Sequence, residues 1–203
     1  MARLLTVIIA LAGIAYVEVL SGADATISGS VKITGAASNA DVVVYIEQAP
    51  GPFPTDTPAT LNQKSQEFVP RVLPIVQGTT VKFLNSDPTA HNIFSPDYEK
   101  YDLGTWQQGE TKEYAFPACA KPPCAYTQLC KIHPQMEGAV VVLQNPFFAV
   151  TDKAGHFEID NVPPGSYTVA TWYARRGRPY PVQRKMVTID TEGTVSADFV
   201  VSR

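Results

Sequence analysis

The chain has 203 residues, 45% of them hydrophobic, which is room for one large or two small domains with buried cores. Its 16 basic and 19 acidic residues leave a net charge of −3 with both signs dispersed. That excludes the electrostatic footprint of a nucleic-acid binder or of a protein held to an anionic membrane surface.

The first 25 residues stand apart. Arg3 gives a short positive start, Leu4 to Ala15 is almost wholly apolar, and Ala23-Asp24-Ala25 offers the small residues a signal peptidase reads, which predicts cleavage after Ala25. Glu18 interrupts a stretch already short for a bilayer, so a retained anchor is the weaker reading and no membrane span is expected in the mature chain. Export implies an oxidising compartment in which disulfides persist.

Beyond Ala25 the pattern is short β-rich runs separated by Gly, Pro, Asn and Asp. Strands are expected over Ile27–Ile33, Asp41–Glu47, Thr79–Leu84, Ala125–Leu129, Gly138–Leu143, Tyr167–Tyr173, Lys185–Ile189 and Val195–Val201. No segment sustains a helical period, and 13 Gly with 17 Pro supply frequent turns, so the class is all-β and the spacing favours sandwiches.

Two segments carry the chemistry. Cys130-Lys131-Ile132-His133-Pro134-Gln135-Met136 places a thiolate, an imidazole and a thioether on one tight loop between two expected strands. Upstream, Val81-Lys82-Phe83-Leu84-Asn85 alternates as a strand and leads through a turn to His91-Asn92. Two imidazoles, one thiolate and a weak axial thioether form the donor set of a blue-copper electron-transfer site, soft enough for Cu(I) and acceptable to Cu(II). A structural zinc site of Cys119, Cys124, Cys130 and His133 is the rival, but it leaves His91 and Met136 unexplained. Three histidines are too few for the trinuclear centre of a multicopper oxidase, and no nucleophile triad, phosphate loop or carboxylate pair stands out. His156 reads as a solvated turn residue, and Tyr98, Tyr101 and Trp106 as packing.

Over about residues 59–145 the sequence resembles the cupredoxins, the plastocyanin and amicyanin type of copper protein. The shared features are the V-x-F-x-N strand, the His91-Asn92 pair and C-x-x-H-x-x-M with its short interval before methionine. The resemblance implies one mononuclear type 1 copper, with His91, Cys130 and His133 as equatorial ligands and Met136 as the axial one. It also implies that Asn92 ties the two ligand loops together, and that His133 is the ligand nearest the surface. Single-electron exchange with redox protein partners in a bacterial periplasm follows, with copper storage or delivery as the alternative. Where a cupredoxin has a short turn before the cysteine strand, this chain has Pro117-Ala118-Cys119-Ala120-Lys121-Pro122-Pro123-Cys124. A Cys119–Cys124 disulfide is expected to close that longer loop, leaving Cys130 as the odd cysteine. Gln128 stands at a same-face position relative to Cys130 where a core aliphatic is expected.

The two ends of the mature chain read as halves of one further module. Gly29-Ser30-Val31 at the front, with Thr151-Asp152-Lys153-Ala154-Gly155-His156-Phe157 and Val162-Pro163-Pro164-Gly165-Ser166-Tyr167 at the back, resembles the carboxypeptidase regulatory-like, or transthyretin-like, β-sandwich. The implied organisation is a signal peptide at 1–25, a discontinuous regulatory-like sandwich at 26–50 and 146–203, and a Greek-key cupredoxin sandwich at 59–145 inserted into it. The combination is similar to bacterial proteins labelled methylamine-utilisation proteins.

Overall fold

A computed structural model describes residues 25–175, 177–190 and 193–202, and every regular element among them is a strand. Residues 1–24 of the expected signal peptide lie outside them. Ala25 opens the first strand, is buried and pairs with Val162, so cleavage after Ala25 would take away a core residue.

The strands, numbered in chain order, form four sheets and a small ribbon. In the first sheet β1 (Ala25–Ile33) lies antiparallel to β13 (His156–Val162) and parallel to both β18 (Thr194–Ser196) and β19 (Phe199–Val201). The second runs β12 (Phe148–Val150), β2 (Val43–Ile46), β14 (Gly165–Trp172), β17 (Arg184–Ile189). The third runs β5 (Val72–Val76), β11 (Glu137–Leu143), β10 (Cys124–Leu129), β7 (His91–Ser95), β8 (Tyr101–Trp106). The fourth runs β4 (Glu67–Val69), β3 (Ala59–Lys64), β6 (Thr80–Asn85), β9 (Thr111–Ala115), and β15 (Ala174–Arg175) pairs with β16 (Arg178–Pro179).

Three hydrophobic cores separate the four sheets. Val44 and Ile46 of β2 face the first sheet, packing with Ile27, Val31, Ile159, Val169 and Phe199. The alternate residues Val43 and Tyr45 turn the other way and meet Ala139, Val141 and Leu143 of β11, with Val72, Ala170 and Trp172 around them. Val140 and Val142 of β11 point onward into the core shared with the fourth sheet, against Leu61, Val81, Phe83 and Tyr126. The period-2 alternation of a strand thus serves two cores at once. This explains why Val42–Ile46 and Ala139–Leu143 are unbroken apolar runs: a strand covered on both faces has no solvent side to mark with polar residues.

The chain passes between the second and third sheets at one place. Gln144 exchanges hydrogen bonds with Ala49, donating through Nε2 (3.2 Å) and accepting its N–H (3.1 Å), while the Asn145 amide donates to the Ile46 carbonyl (2.9 Å). An Arg71–Asp41 ion pair at 2.7 Å and a Gly177 N–H bond to Glu137 (2.8 Å) span the same boundary.

One expectation changes. The run Val195–Val201 is divided, because the Asp198 carboxylate takes both the N–H and the hydroxyl of Ser30 and so interrupts the ladder between β18 and β19. The neighbouring position has to be Gly29, where a Cβ would stand 2.3 Å from the Ala197 carbonyl oxygen. At the turn Asp152–Gly155 the Asp152 carboxylate accepts the N–H groups of Gly155 and His156. This turn carries the chain from the second sheet to the first, since β12 pairs with β2 and β13 with β1.

Candidate metal centre

The site begins where β6 ends. Asn85 builds the turn that follows: its amide donates to the carbonyls of Thr89 (2.9 Å) and Trp106 (3.2 Å), and its Oδ1 accepts the Asp87 N–H (2.9 Å). That turn delivers His91, fully buried, as the first residue of β7. Cys130 follows directly on the last residue of β10, and the Met136 N–H closes back on the His133 carbonyl (2.9 Å) just before β11.

Three of the four residues expected at a metal are brought to one point. Cys130 Sγ lies 4.0 Å from His91 Nδ1 and 3.9 Å from His133 Nδ1, and the two Nδ1 atoms are 3.0 Å apart. A triangle with these edges has its equidistant point about 2.1 Å from each corner, between the bond lengths of about 2.0 Å to imidazole nitrogen and about 2.3 Å to thiolate that a metal of this size makes. Three donor atoms turned inward at that spacing fit one metal ion, and these three residues are the group of the described chain that could hold one. Met136 is buried in the same core as Cys130.

Access is unequal. His91, Cys130 and Met136 are buried, whereas His133 is half-exposed beside Ile132, which is 46% exposed.

A set of polar groups holds the ligand loops. Asn92 Oδ1 accepts the Lys131 N–H (3.3 Å), while its amide donates to Asp102 (2.8 Å) and to the Gly104 carbonyl (2.9 Å). Gln63, fully buried on β3, donates to the Asn92 carbonyl (3.0 Å). The Lys131 ammonium pairs with Asp102. That bond, then the Gly104 N–H and the Asn92 amide, hold the Asp102 carboxyl down to about 2. His91 Nε2 stands 2.8 Å from Asp87 Oδ2, within hydrogen-bond distance. Burial raises the Asp87 pKa, but the N–H groups of Gln66 and Ser65 together with His91 outweigh it and leave the carboxyl below its ordinary value.

Gln128 replaces the expected aliphatic without disturbing the strand. It is buried in step with Tyr126 and Cys130 and pairs with Gly138. Its Oε1 accepts the Tyr101 hydroxyl (2.5 Å) and its amide donates to the Tyr126 carbonyl (2.8 Å), so the buried amide has partners on both sides. Tyr101 stacks on Tyr114 at 4.1 Å, and Tyr98 leans on Tyr126 at 5.0 Å.

Cys119 and Cys124 are joined in a disulfide with a Cα–Cα distance of 6.2 Å. Bonded to each other they are not available as thiolates, which removes the four-ligand zinc set. Cys130 is the free cysteine. His156 is 73% exposed at its side chain, as a turn residue should be.

Asp87 and Gln63 are the site residues that the sequence reading did not single out. Asp87 had one signal, its place four residues before His91 in an Asp-Pro turn; Gln63 had none.

No protein-family model and no curated protein matches the chain. Solved structures that resemble part of it include cupredoxins and a copper-containing enzyme. A copper-containing nitrite reductase from Thermus scotoductus SA-01 is 30% identical over 42% of this chain, which spans 22% of that one, with a TM-score of 0.38. A purple cupredoxin from Nitrosopumilus maritimus is 26% identical over 41% of this chain and 98% of its own, with a TM-score of 0.36. A reduced single-residue variant of amicyanin is 20% identical over 49% of this chain and 97% of its own, with a TM-score of 0.39. Among the described residues no helix is long and apolar enough to cross a membrane.

Proposed function

We propose that this chain is an exported type 1 copper protein that passes single electrons between redox protein partners. One copper ion would be held by His91 Nδ1, Cys130 Sγ and His133 Nδ1, with Met136 as the weak axial donor, and Asn92 would lock the two ligand loops together. Bound there, copper supplies a one-electron Cu(I)/Cu(II) couple. The observation that carries the reading is the inward triangle of two imidazole nitrogens and one thiolate sulfur, closed around a point about 2.1 Å from each.

What the residues do follows from their setting. Buried donors on hydrogen-bonded loops keep one geometry in both oxidation states, and this lowers the reorganisation that electron transfer costs. His133 reaches nearer to solvent than His91 and is the edge across which the electron would pass. A constrained donor set that reaches solvent only at His133 also favours electron transfer over storage or delivery, because handing on an ion needs an open or labile position. Residues 59–145 would form the cupredoxin unit and residues 26–50 with 146–203 the regulatory-like sandwich that carries it; the strand pairing supports this division. The disulfide agrees with an oxidising, periplasmic setting.

The visible and electron paramagnetic resonance spectra of the copper-loaded full chain test the reading. An intense thiolate-to-copper band with a narrow copper hyperfine splitting is expected, and its loss in Cys130→Ser. A colourless Cu(I) form that surrenders its metal readily to a chelator would instead establish storage or delivery.

A further inference from the structure

His91 is gripped on the side of its ring that faces away from Cys130. Its Nε2 meets Asp87 Oδ2 at 2.8 Å, and both groups are buried, His91 fully and Asp87 at 7% exposure. The carboxylate is itself fixed: Oδ1 accepts the Ser65 N–H (2.6 Å), Oδ2 also accepts the Gln66 N–H (2.8 Å), and the Asp87 N–H is held by Asn85. Ser65 and Gln66 form the two-residue turn between β3 and β4 and take φ of 57° and 56°, left-handed values that neither side chain favours. Their two N–H groups converge on Asp87 because of that turn. Among the described residues no side chain takes the second ring nitrogen of His133, so the two histidines are held differently.

We propose that Asp87 is a positioning residue for the metal. It fixes His91 in the tautomer that carries its proton on Nε2, leaves the Nδ1 lone pair aimed at the point shared with Cys130 and His133, and makes that nitrogen a stronger donor. This rests on the copper reading given above. A carboxylate accepting the far N–H of a ligating imidazole draws the proton toward itself and adds electron density to the ring. Extra donation stabilises the higher oxidation state more, so Asp87 biases the couple toward Cu(II) and lowers the reduction potential. The β3–β4 turn becomes part of the metal centre through Asp87, although neither Ser65 nor Gln66 is a ligand.

Two measurements test it. In the metal-free wild type, nitrogen-15 resonance of the imidazoles is expected to show His91 protonated at Nε2 and bare at Nδ1; an Nδ1-protonated or rapidly exchanging ring overturns the proposal. In the copper-loaded protein, Asp87→Asn presents an amide to Nε2 in place of the carboxylate. Its Cu(II) dissociation constant, read by competition with a chelator, should rise about 10–100-fold while the charge-transfer band persists. Each tenfold loss confined to Cu(II) raises the potential by about 59 mV. Unchanged affinity and potential overturn the proposal, and should the variant not fold, the wild-type tautomer decides it alone. Absence of the band from the wild type refutes the copper reading and is distinguishable, because the metal-free tautomer is measured independently.

Discussion

Leu143→Ala asks whether the two sandwiches stand or fall together. Leu143 is 1% exposed and lies in the middle core, where β11 of the third sheet meets β2 and β14 of the second. Removing its isobutyl group forfeits the transfer energy of the lost carbons and leaves a cavity, a combination that costs about 2–5 kcal/mol in rigid cores. The upper half of that range is expected here. Leu143 is laddered to Val76 of β5, and the opposing wall is held in register on both sides of β2, so neither sheet can close the gap. For a chain of this length each kcal/mol moves the midpoint by about 2–4 °C, which gives a fall on the order of 10 °C. Thermal melts supply the midpoint, and native-state hydrogen exchange resolves it by strand. Amides of β13 in the first sheet and of β6 in the fourth are expected to lose the same protection, since both lie one sheet away from the altered core. A loss confined to one pair of sheets, two separate transitions of which only one moves, or a total effect under about 1 kcal/mol would refute the argument that the middle core joins the layers into one cooperative unit.

Met136→Leu keeps volume in a buried site and removes the thioether; the charge-transfer band should persist while the potential, measured by voltammetry, rises, and a potential that does not move rules out axial coordination. Gly138→Ala should destabilise by about 1–3 kcal/mol in denaturant titrations, because the new Cβ would meet the Arg71 carbonyl oxygen at 2.8 Å and Phe68 Cβ at 3.0 Å. Asp102 governs an acid limb. Its folded pKa of about 2 lies below an unfolded value of about 3.9, so its contribution is complete above about pH 4 and is lost as pH falls through about 2. Asp102→Asn should therefore flatten the decline of melting temperature between pH 4 and pH 2, and an unchanged slope would show that the Asp102 contacts with Lys131, Gly104 and Asn92 together contribute nothing.

The parts of this molecule that announce themselves in sequence are those whose chemistry is local. His91, Cys130 and His133 are legible because rare donor types crowd one loop and the start of one strand, and the Cys119–Cys124 bridge because only four residues separate the pair in a proline-rich turn. The long apolar runs could be read as strands but not as strands facing two cores. What stayed hidden depends on tertiary partners. β3 carries the buried polar Gln63, β5 has a proline at its centre, and β9 is almost wholly exposed, so none shows the alternation of a half-buried strand. The burial of Asp87 stayed hidden for the same reason: it is offset by N–H groups from a turn more than twenty residues away in the chain. The split of β18 from β19 hangs on one carboxylate, Asp198, reaching across to Ser30.

The layering has a consequence for how the protein can be held. β1 and β19, which lead to the two ends of the described chain, lie side by side in the first sheet, while the ligand cluster sits beyond the third. With sheets stacking about 10 Å apart, on the order of 20 Å of packed protein stands between them. A tether, a surface or a neighbouring module fastened before β1 or after β19 would take hold of the first sheet, a layer that contributes no ligand residue. The sheets that position His91, Cys130 and His133 would then bear none of the attachment, and the grip would be separated from the chemistry by layer.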